Sequence, residues 1–328
     1  MDIKELKEYL AADWQAVQDC INRCLSSDIS LLNATNASIL SNSGKQLRPL
    51  LSLVMARACS GITKASEATV RYAAAAELLH NATLLHDDVA DESDQRRGKP
   101  TVYSLMGPAV SVLVGDYWLV KAMELILGTS ESDTAVIKIF SKTLSDLAEG
   151  EMLQLQKAQS GDTDEQDYLR IIYNKTASLF EAACVSAAVS VNASQTCVQA
   201  ARDYAVALGL AFQVKDDILD YAGTVSVGKP LGVDVLEQKI TMPLLGALAQ
   251  ASPEEAQRIR TMVASIVDNP EYRDEILEFV RCNGGVEYAM KRLDEYVEEA
   301  VRALDVLEDS AEKKCLAELA HFTALRNS

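Results

Sequence analysis

The sequence predicts an all-α fold. The 328-residue chain contains only 15 glycines and 7 prolines, and aromatic residues make up 5% of it. Every proline lies where a helical pattern begins or has lapsed, as expected because proline disrupts a helix interior. Apolar residues recur at the i, i+3, i+4 spacing of amphipathic helices through most of the chain. We find no linker, low-complexity block or fixed-period repeat, so we expect one domain over residues 1–328.

The predicted helices follow one another between two breaks. Residues 3–28 and 46–59 carry the helical spacing, and the polar segment NATNASILSNSGKQ between them predicts a turn. A long helix from about Ser66 to Asp91 ends at RRGKPT, since glycine and proline do not continue a helix interior. The second break is AGTVSVGKPLGVD, at 222–234. The remaining helical patterns cover 109–128, 133–159, 165–190 and 195–221, with three or four shorter helices in 241–326.

Composition excludes several classes of function. The net charge of −17 argues against nucleic-acid binding, which requires basic surfaces. No stretch of 18 apolar residues is free of charge, so we expect no membrane span, and MDIKELKEYL is not typical of a signal peptide. Seven cysteines without a CxxC motif indicate free thiols in a reducing cytoplasm.

One acidic pattern occurs twice. LLHDDVAD (84–91) is matched by QVKDDILD (213–220), and in both the aspartates fall at i, i+1 and i+4. On a helix these positions share one face, where three like charges repel one another. Mg²⁺ prefers oxygen ligands and is often held by one or two carboxylates together with substrate phosphates. We therefore predict two or three Mg²⁺ ions, with Mn²⁺ as a substitute, bridged by a diphosphate. The predicted ligands are Asp87, Asp88, Asp91, Asp216, Asp217 and Asp220.

Basic residues near these motifs predict a site for a second anion. Lys45 and Arg48 lie in a glycine-opened turn just before an apolar helix, where free N–H groups also favour anions. His80 lies two turns before the first aspartate and is expected to face the same cavity. The side chains of Arg96 and Arg97 diverge, so they can serve two different anions.

Further motifs accompany the aspartate clusters along the chain. In order, the set is Gly44-Lys45, Arg48-Pro49, His80, LLHDDVADESDQRRGK, Lys175-Thr176, FQVKDDILD and Gly228-Lys229. Together these motifs resemble the trans-isoprenyl diphosphate synthases, and their long-chain polyprenyl branch is most similar. The resemblance covers nearly the whole chain. One departure is Gln46, where many members have a basic residue.

The resemblance implies a fold and a reaction. It implies a bundle of long antiparallel helices around a central cavity (the isoprenoid synthase fold), normally as a homodimer. An allylic diphosphate, expected to be farnesyl diphosphate, would bind through Mg²⁺ between the aspartate clusters. Isopentenyl diphosphate would bind in a metal-free basic pocket, and successive condensations would give an all-trans polyprenyl diphosphate, released at a membrane surface.

The resemblance also implies a role for each basic and polar residue. Arg96, Lys175 and Lys239 would stabilise the leaving diphosphate, while the oxygens of Thr176 and Gln213 would stabilise the allylic cation. Lys229 would close over the phosphates as part of a lid. The pocket for isopentenyl diphosphate would consist of Lys45, Arg48, His80 and Arg97.

The helix before the first aspartate cluster predicts the length of the product. In the resembling family, the fifth and fourth residues before the first aspartate limit chain growth, and here they are the small Ala82 and Thr83. Leu79 and Leu78 come next, followed by AAAA at 73–76. One isoprene unit spans about three helical residues, so we expect a product of about six units or more. The alternative explanation is that these alanines only permit close helix packing.

Three other functions remain open at this stage. A short-chain synthase would make farnesyl or geranylgeranyl diphosphate with the same motifs. A class I terpene cyclase would normally alter the second aspartate cluster and would not need the basic pocket. A non-catalytic synthase subunit would be expected to have a broken cluster, and both clusters are intact here.

Overall fold

The computed structural model describes residues 3–42, 44–128, 130–222 and 231–326. Within them the regular elements are helices, apart from one two-stranded hairpin, so the all-α prediction is confirmed. The first helices are α1 (Ile3–Tyr9), α2 (Ala11–Cys24), α3 (Ser30–Ser41), α4 (Leu47–Ser60), α5 (Glu67–Ala90), α6 (Val102–Met106), α7 (Pro108–Ile126) and α8 (Glu131–Ser160). The others are α9 (Glu165–Ile172), α10 (Ser178–Ser190), α11 (Gln195–Ala222), α12 (Val233–Leu236), α13 (Met242–Gln250), α14 (Pro253–Ala264), α15 (Tyr272–Cys282), α16 (Gly285–Ala303) and α17 (Ala311–Leu325).

Several helices begin at residues suited to that position. Ser66 precedes α5, and its hydroxyl accepts a hydrogen bond from the backbone N–H of Thr69. Asp164 and Asp167 form a reciprocal capping box at the start of α9. Such caps satisfy backbone donors that have no partner within the helix.

The chain divides into two compact units. The first contains residues 1–141, 182–201 and 306–316. In it α5 packs against α7, α4 and α2, and most apolar residues of α4 and α5 are buried. This packing explains why α5, with its alanine run at 73–76, is helical over 24 residues.

The second unit contains residues 142–181, 202–305 and 317–328. Here α13 packs against α16 and α15, and its apolar residues are buried. Between α9 and α10 lies a π-helical turn, Tyr173–Ala177. The expectation of a single domain over the whole chain stays a prediction.

The structure corrects three details of the predicted elements. The polar segment before residue 46 is largely helical, as α3, because its polar groups find partners: Asn36 donates to the carbonyl of Leu25 and accepts from the indole of Trp118. The first break contains a β-hairpin instead of an irregular loop. Residues 241–326 form five α-helices instead of three or four, because turns interrupt the pattern more often than apolar spacing indicates.

No helix in the described part of the chain has the length and unbroken apolar character needed to cross a bilayer.

Candidate functional site

The first aspartate cluster lies at the end of α5. Asp87 and Asp88 occupy its last turn, and Asp91 is the residue that caps it. Negative charges at the C-terminal end of a helix oppose the helix dipole, so this placement lowers stability unless a cation compensates. Asp88 is buried and accepts a hydrogen bond of 2.8 Å from Nε of Arg96. Burial raises the pKa of the Asp88 carboxyl, while Arg96 acts in the opposite direction.

A tight hairpin separates the two neighbouring arginines. Strands β1 (Gln95–Arg96) and β2 (Lys99–Pro100) pair antiparallel, and Arg96 lies opposite Lys99. Arg97 and Gly98 form the turn with φ of 54° and 73°. Positive φ at both central residues is typical of a two-residue hairpin turn, but it costs energy for an arginine. Arg96 therefore lies in a strand and Arg97 in the turn, and their side chains bond with different partners, Asp88 and the carbonyl of Asn42.

Gly44 provides space for Arg97. A Cβ atom on Gly44 would lie 2.1 Å from Nη1 of Arg97, which donates a hydrogen bond of 3.3 Å to the carbonyl of Asn42. The backbone φ at Gly44 is also positive, at 65°. The positive φ favours glycine here, and any larger residue would displace the guanidinium of Arg97.

The predicted basic residues of the first unit form one electrostatic neighbourhood. Arg48 lies in the first turn of α4, and burial lowers its pKa to about 10, with Arg97 acting in the same direction. Burial lowers the pKa of His80 well below 6.5, and the charges of Arg48 and Arg97 lower it further. His80 is therefore held neutral beside these guanidinium groups. Lys45 is exposed in the turn before α4.

Glu77 is a buried acid that sequence reasoning missed. It lies one turn before His80 on α5, and Asn81 donates a hydrogen bond of 3.1 Å to its Oε1. Burial raises the pKa of Glu77, and Arg48 is the largest opposing influence. Its position three residues before His80, on a buried face, was the available signal. Glu77 is thus a buried carboxyl group in a neighbourhood that otherwise contains basic side chains.

The second aspartate cluster lies in the last turns of α11. Asp216 accepts a hydrogen bond of 2.7 Å from Arg326. Asp220 accepts hydrogen bonds from the backbone N–H groups of Val233 and Asp234, at 3.0 and 3.1 Å.

Asp217 is almost completely buried, and both of its oxygens accept hydrogen bonds. The hydroxyl of Tyr168 donates to Oδ2 at 2.5 Å, and the amide of Gln213 donates to Oδ1 at 3.0 Å. Burial raises the pKa of Asp217, and the charge of Asp234 acts in the same direction.

Three residues around this cluster were not predicted as site residues. Asp234 is half-buried. Burial raises its pKa, and the negative charge of Asp220 acts in the same direction. Arg326 also stacks on Phe212, with its guanidinium carbon 3.9 Å from the ring centre. No sequence signal pointed to Tyr168.

Lys175 and Thr176 lie in the π-helical turn. Lys175 forms an ion pair of 2.6 Å with Glu151 and a hydrogen bond of 3.0 Å with Gln154. The hydroxyl of Thr176 donates to Oε1 of Gln213 at 2.8 Å. Helical turns of this kind are frequent at functional sites.

The second unit contains a cavity of about 130 Å³. Lys239 lines it and forms an ion pair with Glu237. The predicted lid residue Lys229 lies outside the described residues. Other residues that line the cavity are Lys157, Tyr168, Lys175, Gln213, Asp217 and Asp234.

The residues predicted to limit product length differ in burial. Ala82 and Leu79 are fully buried, as is the alanine run at 73–76. Thr83 is half-buried, and its hydroxyl donates to the carbonyl of His80 at 2.8 Å. Both explanations of the small residues, a tunnel wall or a close helix contact, are compatible with this burial.

Comparison with known proteins identifies the family. The family model for polyprenyl synthetase matches residues 29–280. The chain belongs to this family. Octaprenyl diphosphate synthase of Escherichia coli (strain K12) is 38% identical to it over 328 residues, which cover 100% of both chains.

Solved polyprenyl synthases have the same fold. The crystal structure of a decaprenyl diphosphate synthase from Rhodobacter capsulatus matches with a TM-score of 0.91 and 35% identity, covering 100% of both chains. A polyprenyl synthase from Caulobacter crescentus, crystallised with calcium and isoprenyl diphosphate, matches with a TM-score of 0.89 and 34% identity, covering 100% of this chain and 98% of that chain. The predicted family and its isoprenoid synthase fold are therefore confirmed.

The donor groups of this polyprenyl synthase fit a hard divalent cation. Among the described residues, no three acidic, histidine or cysteine side chains converge closely enough to enclose a metal ion by themselves. Mg²⁺ does not need such a cage, since it keeps several waters and is held by one or two carboxylates with substrate phosphates. Asp87, Asp91 and Asp216 offer oxygen donors of this kind on side chains that are at least partly exposed.

Proposed function

We propose that this chain is a trans-polyprenyl diphosphate synthase that extends an allylic diphosphate with successive isopentenyl diphosphates. The observation that carries the proposal is that the chain has two intact aspartate clusters and a separate group of basic residues. The clusters supply oxygen donors for Mg²⁺, whereas Arg48 and Arg97 supply positive charge without a metal. Two diphosphates with different requirements can therefore be bound by one protein.

Bound Mg²⁺ would neutralise the diphosphate that leaves when the allylic C–O bond ionises. Its proposed ligands come from both clusters, Asp87, Asp88 and Asp91 in the first and Asp216 and Asp220 in the second. Arg96, Lys175 and Lys239 would add fixed positive charge against the same group. Charges that are already in position stabilise a transition state without reorganisation, which is usually the largest catalytic effect.

The second substrate would attack the resulting cation. Lys45, Arg48, His80 and Arg97 would hold the diphosphate of isopentenyl diphosphate, and Gly44 would keep Arg97 in place. The oxygens of Thr176 and Gln213 would stabilise the cation as dipoles. No base is evident among these groups, so the departed diphosphate would accept the proton. Lys229 would contribute to a lid over the phosphates.

We further propose a long product, and farnesyl diphosphate as the allylic primer. The small residues Ala82 and Thr83, and the alanines at 73–76 beyond them, support a product of about six isoprene units or more. The relatives named octaprenyl and decaprenyl diphosphate synthases support the same assignment. Such a product would leave the enzyme at a membrane surface, and the seven free cysteines support a cytoplasmic location.

The proposed assembly is a homodimer, and α7 offers a surface for it. Val112, Leu113 and Val120 are exposed apolar residues on this helix. Exposed apolar groups in a row favour a protein partner, and a second copy of the chain would supply the same surface. Leu113→Asp is expected to convert the dimer to monomers, measured by light scattering after gel filtration.

The experiment that tests the function uses the purified protein alone. With farnesyl diphosphate, labelled isopentenyl diphosphate and Mg²⁺, it should yield a long-chain polyprenyl diphosphate, and excess EDTA should abolish turnover. Mn²⁺ should restore activity after chelation. Products of fifteen to twenty carbons would indicate a short-chain synthase, because a tunnel only about one helical turn deep would stop growth at that length. Cyclised hydrocarbon would indicate a terpene cyclase, and no reaction without a partner would indicate a synthase subunit.

A further inference from the structure

Four side chains of the second unit form a continuous hydrogen-bonded chain. Tyr168 donates to Asp217 at 2.5 Å, Gln213 donates to the other oxygen of Asp217 at 3.0 Å, and Thr176 donates to Gln213 at 2.8 Å. The members come from α9, α11 and the π-helical turn, and Tyr168 and Asp217 are nearly inaccessible to solvent. The chain therefore links Thr176 to three residues that line the cavity, Tyr168, Asp217 and Gln213.

The direction of each hydrogen bond determines the orientation of the Gln213 amide. Its NH₂ group donates to Oδ1 of Asp217, and its oxygen accepts from the hydroxyl of Thr176. Without an acceptor at Asp217, the amide gains a second orientation in which its NH₂ group faces the hydroxyl. An amide nitrogen presents positive hydrogens, which is the wrong dipole beside a developing cation.

We propose that Tyr168 and Asp217 are positioning residues that orient the Gln213 amide through this chain, with Asp217 serving as an anchor for Gln213 and not as a Mg²⁺ ligand. The inference deepens the proposed function and rests on it for the role of Gln213. Asp217 directs both oxygens to protein donors, whereas Asp216 in the same cluster is partly exposed. The two neighbouring aspartates thus have different tasks despite their shared motif.

A binding experiment that requires no turnover tests the assignment of Asp217. Calorimetric titration with Mg²⁺ and inorganic diphosphate should give similar affinities for wild type, Tyr168→Phe and Asp217→Asn. Asp216→Asn should bind at least about tenfold more weakly, since it loses a charged ligand. If Asp217→Asn is weakened as much as Asp216→Asn, or Tyr168→Phe loses about tenfold or more, Asp217 is a ligand and the inference is wrong.

Kinetics of the first condensation test the positioning role. Tyr168→Phe should lower kcat about tenfold while the KM for isopentenyl diphosphate stays unchanged, as for an interaction that acts only in the transition state. Tyr288→Phe is the matched control, because it removes a tyrosine–glutamate hydrogen bond of 2.9 Å at Glu165 and should leave kcat unchanged. A Tyr168→Phe variant with wild-type kcat would overturn the inference.

A double variant separates positioning from general loss of structure. Tyr168→Phe combined with Asp217→Asn should be no slower than the slower single variant, because both act on the same amide. Multiplying effects would show independent roles and contradict the proposal. Asn is nearly isosteric with Asp, so the kinetics of Asp217→Asn still test the positioning role if Tyr168→Phe unfolds.

A wild-type protein that binds diphosphate with Mg²⁺ but does not elongate would count against the proposed function, whereas the binding comparison would still decide the role of Asp217.

Discussion

The two aspartate clusters have the same spacing and different surroundings. In the first, the buried middle residue Asp88 is paired with a cation, Arg96. In the second, the buried middle residue Asp217 is held by two neutral donors, and another acid, Asp234, lies close to it. The buried middle carboxyl group is thus paired with a cation in one cluster and held by neutral donors in the other. A sequence motif defines which groups are available, while neighbours distant in sequence define their charge.

The largest expected effect comes from removing the first aspartate of either cluster. Asp87→Ala and Asp216→Ala should each lower kcat by about a hundred- to a thousandfold, as loss of a transition-state contact does. Asp309→Ala is a suitable control because its carboxylate is 94% exposed. Steady-state rates with Mg²⁺ in excess provide the measurement. Near-normal turnover in one of the two variants would show that only the other cluster binds the reacting diphosphate.

A change of product length is the next effect. On α5 the fifth and fourth residues before the first aspartate are Ala82 and Thr83, whereas on α11 they are Ala211 and Phe212. An aromatic ring thus already stands before the second cluster, so the α5 side is the expected route for the chain. Ala82→Tyr should shorten the product to about fifteen or twenty carbons while the first condensation remains fast.

Chromatography of the dephosphorylated products measures this length. Because Ala82 is fully buried, Ala82→Tyr should also lower Tm by a few degrees, in line with overpacking by roughly 1–3 kcal/mol. Thr83→Ser keeps the hydroxyl, adds no bulk and should leave the length unchanged. A folded Ala82→Tyr enzyme with the wild-type product would favour helix packing as the role of the small residues.

Loss of the cation beside the first cluster should reduce stability moderately. Arg96→Ala leaves Asp88 buried without its partner, which costs 3–5 kcal/mol for a fully buried pair. Because the Arg96 side chain is 36% exposed, we expect about 1–2 kcal/mol. Urea unfolding of the metal-free protein measures this loss in the free energy of unfolding. Arg97→Ala, at the neighbouring exposed position, should change stability less, and an equal loss in both variants would mean that the Asp88 pair is not responsible.

The smallest effect concerns pH. His80 has a folded-state pKa below its ordinary value of 6.5, so the unfolded chain binds the proton more readily. Stability is therefore lost as pH falls through 6.5, and His80→Gln should remove that part of the loss. Unfolding of wild type and variant at pH 7 and pH 5 measures the difference, with the exposed His321→Gln as control. If both variants keep the wild-type pH dependence, the arginines do not hold His80 neutral.

The helices and the two aspartate clusters were predictable because their signals are local. Apolar spacing determined α5 and α11, and the motif spacing within each determined Asp87 and Asp216. The prediction of a turn around Asn36 is wrong because asparagine is a polar residue type that can nevertheless be buried in a helix. Its hydrogen-bond partners Leu25 and Trp118 are distant in sequence.

The second cluster shows a similar limit. Tyr168 lies 49 residues from Asp217, and Arg326 lies 110 residues from Asp216. Single-sequence patterns carry no information about such pairs, whereas Gly44 leaves a trace because its positive φ favours glycine.

The π-helical turn at Tyr173–Ala177 has a consequence for the history of the chain. A π turn contains one more residue than the α-helical turn it replaces, and one residue corresponds to about 100° of rotation around the helix axis. A relative that lacked one residue in this stretch would keep the letters Lys-Thr and still direct them to another side of the helix. The extra residue of the π turn therefore decides which side of the helix Thr176 faces, and with it the hydrogen bond between Thr176 and Gln213.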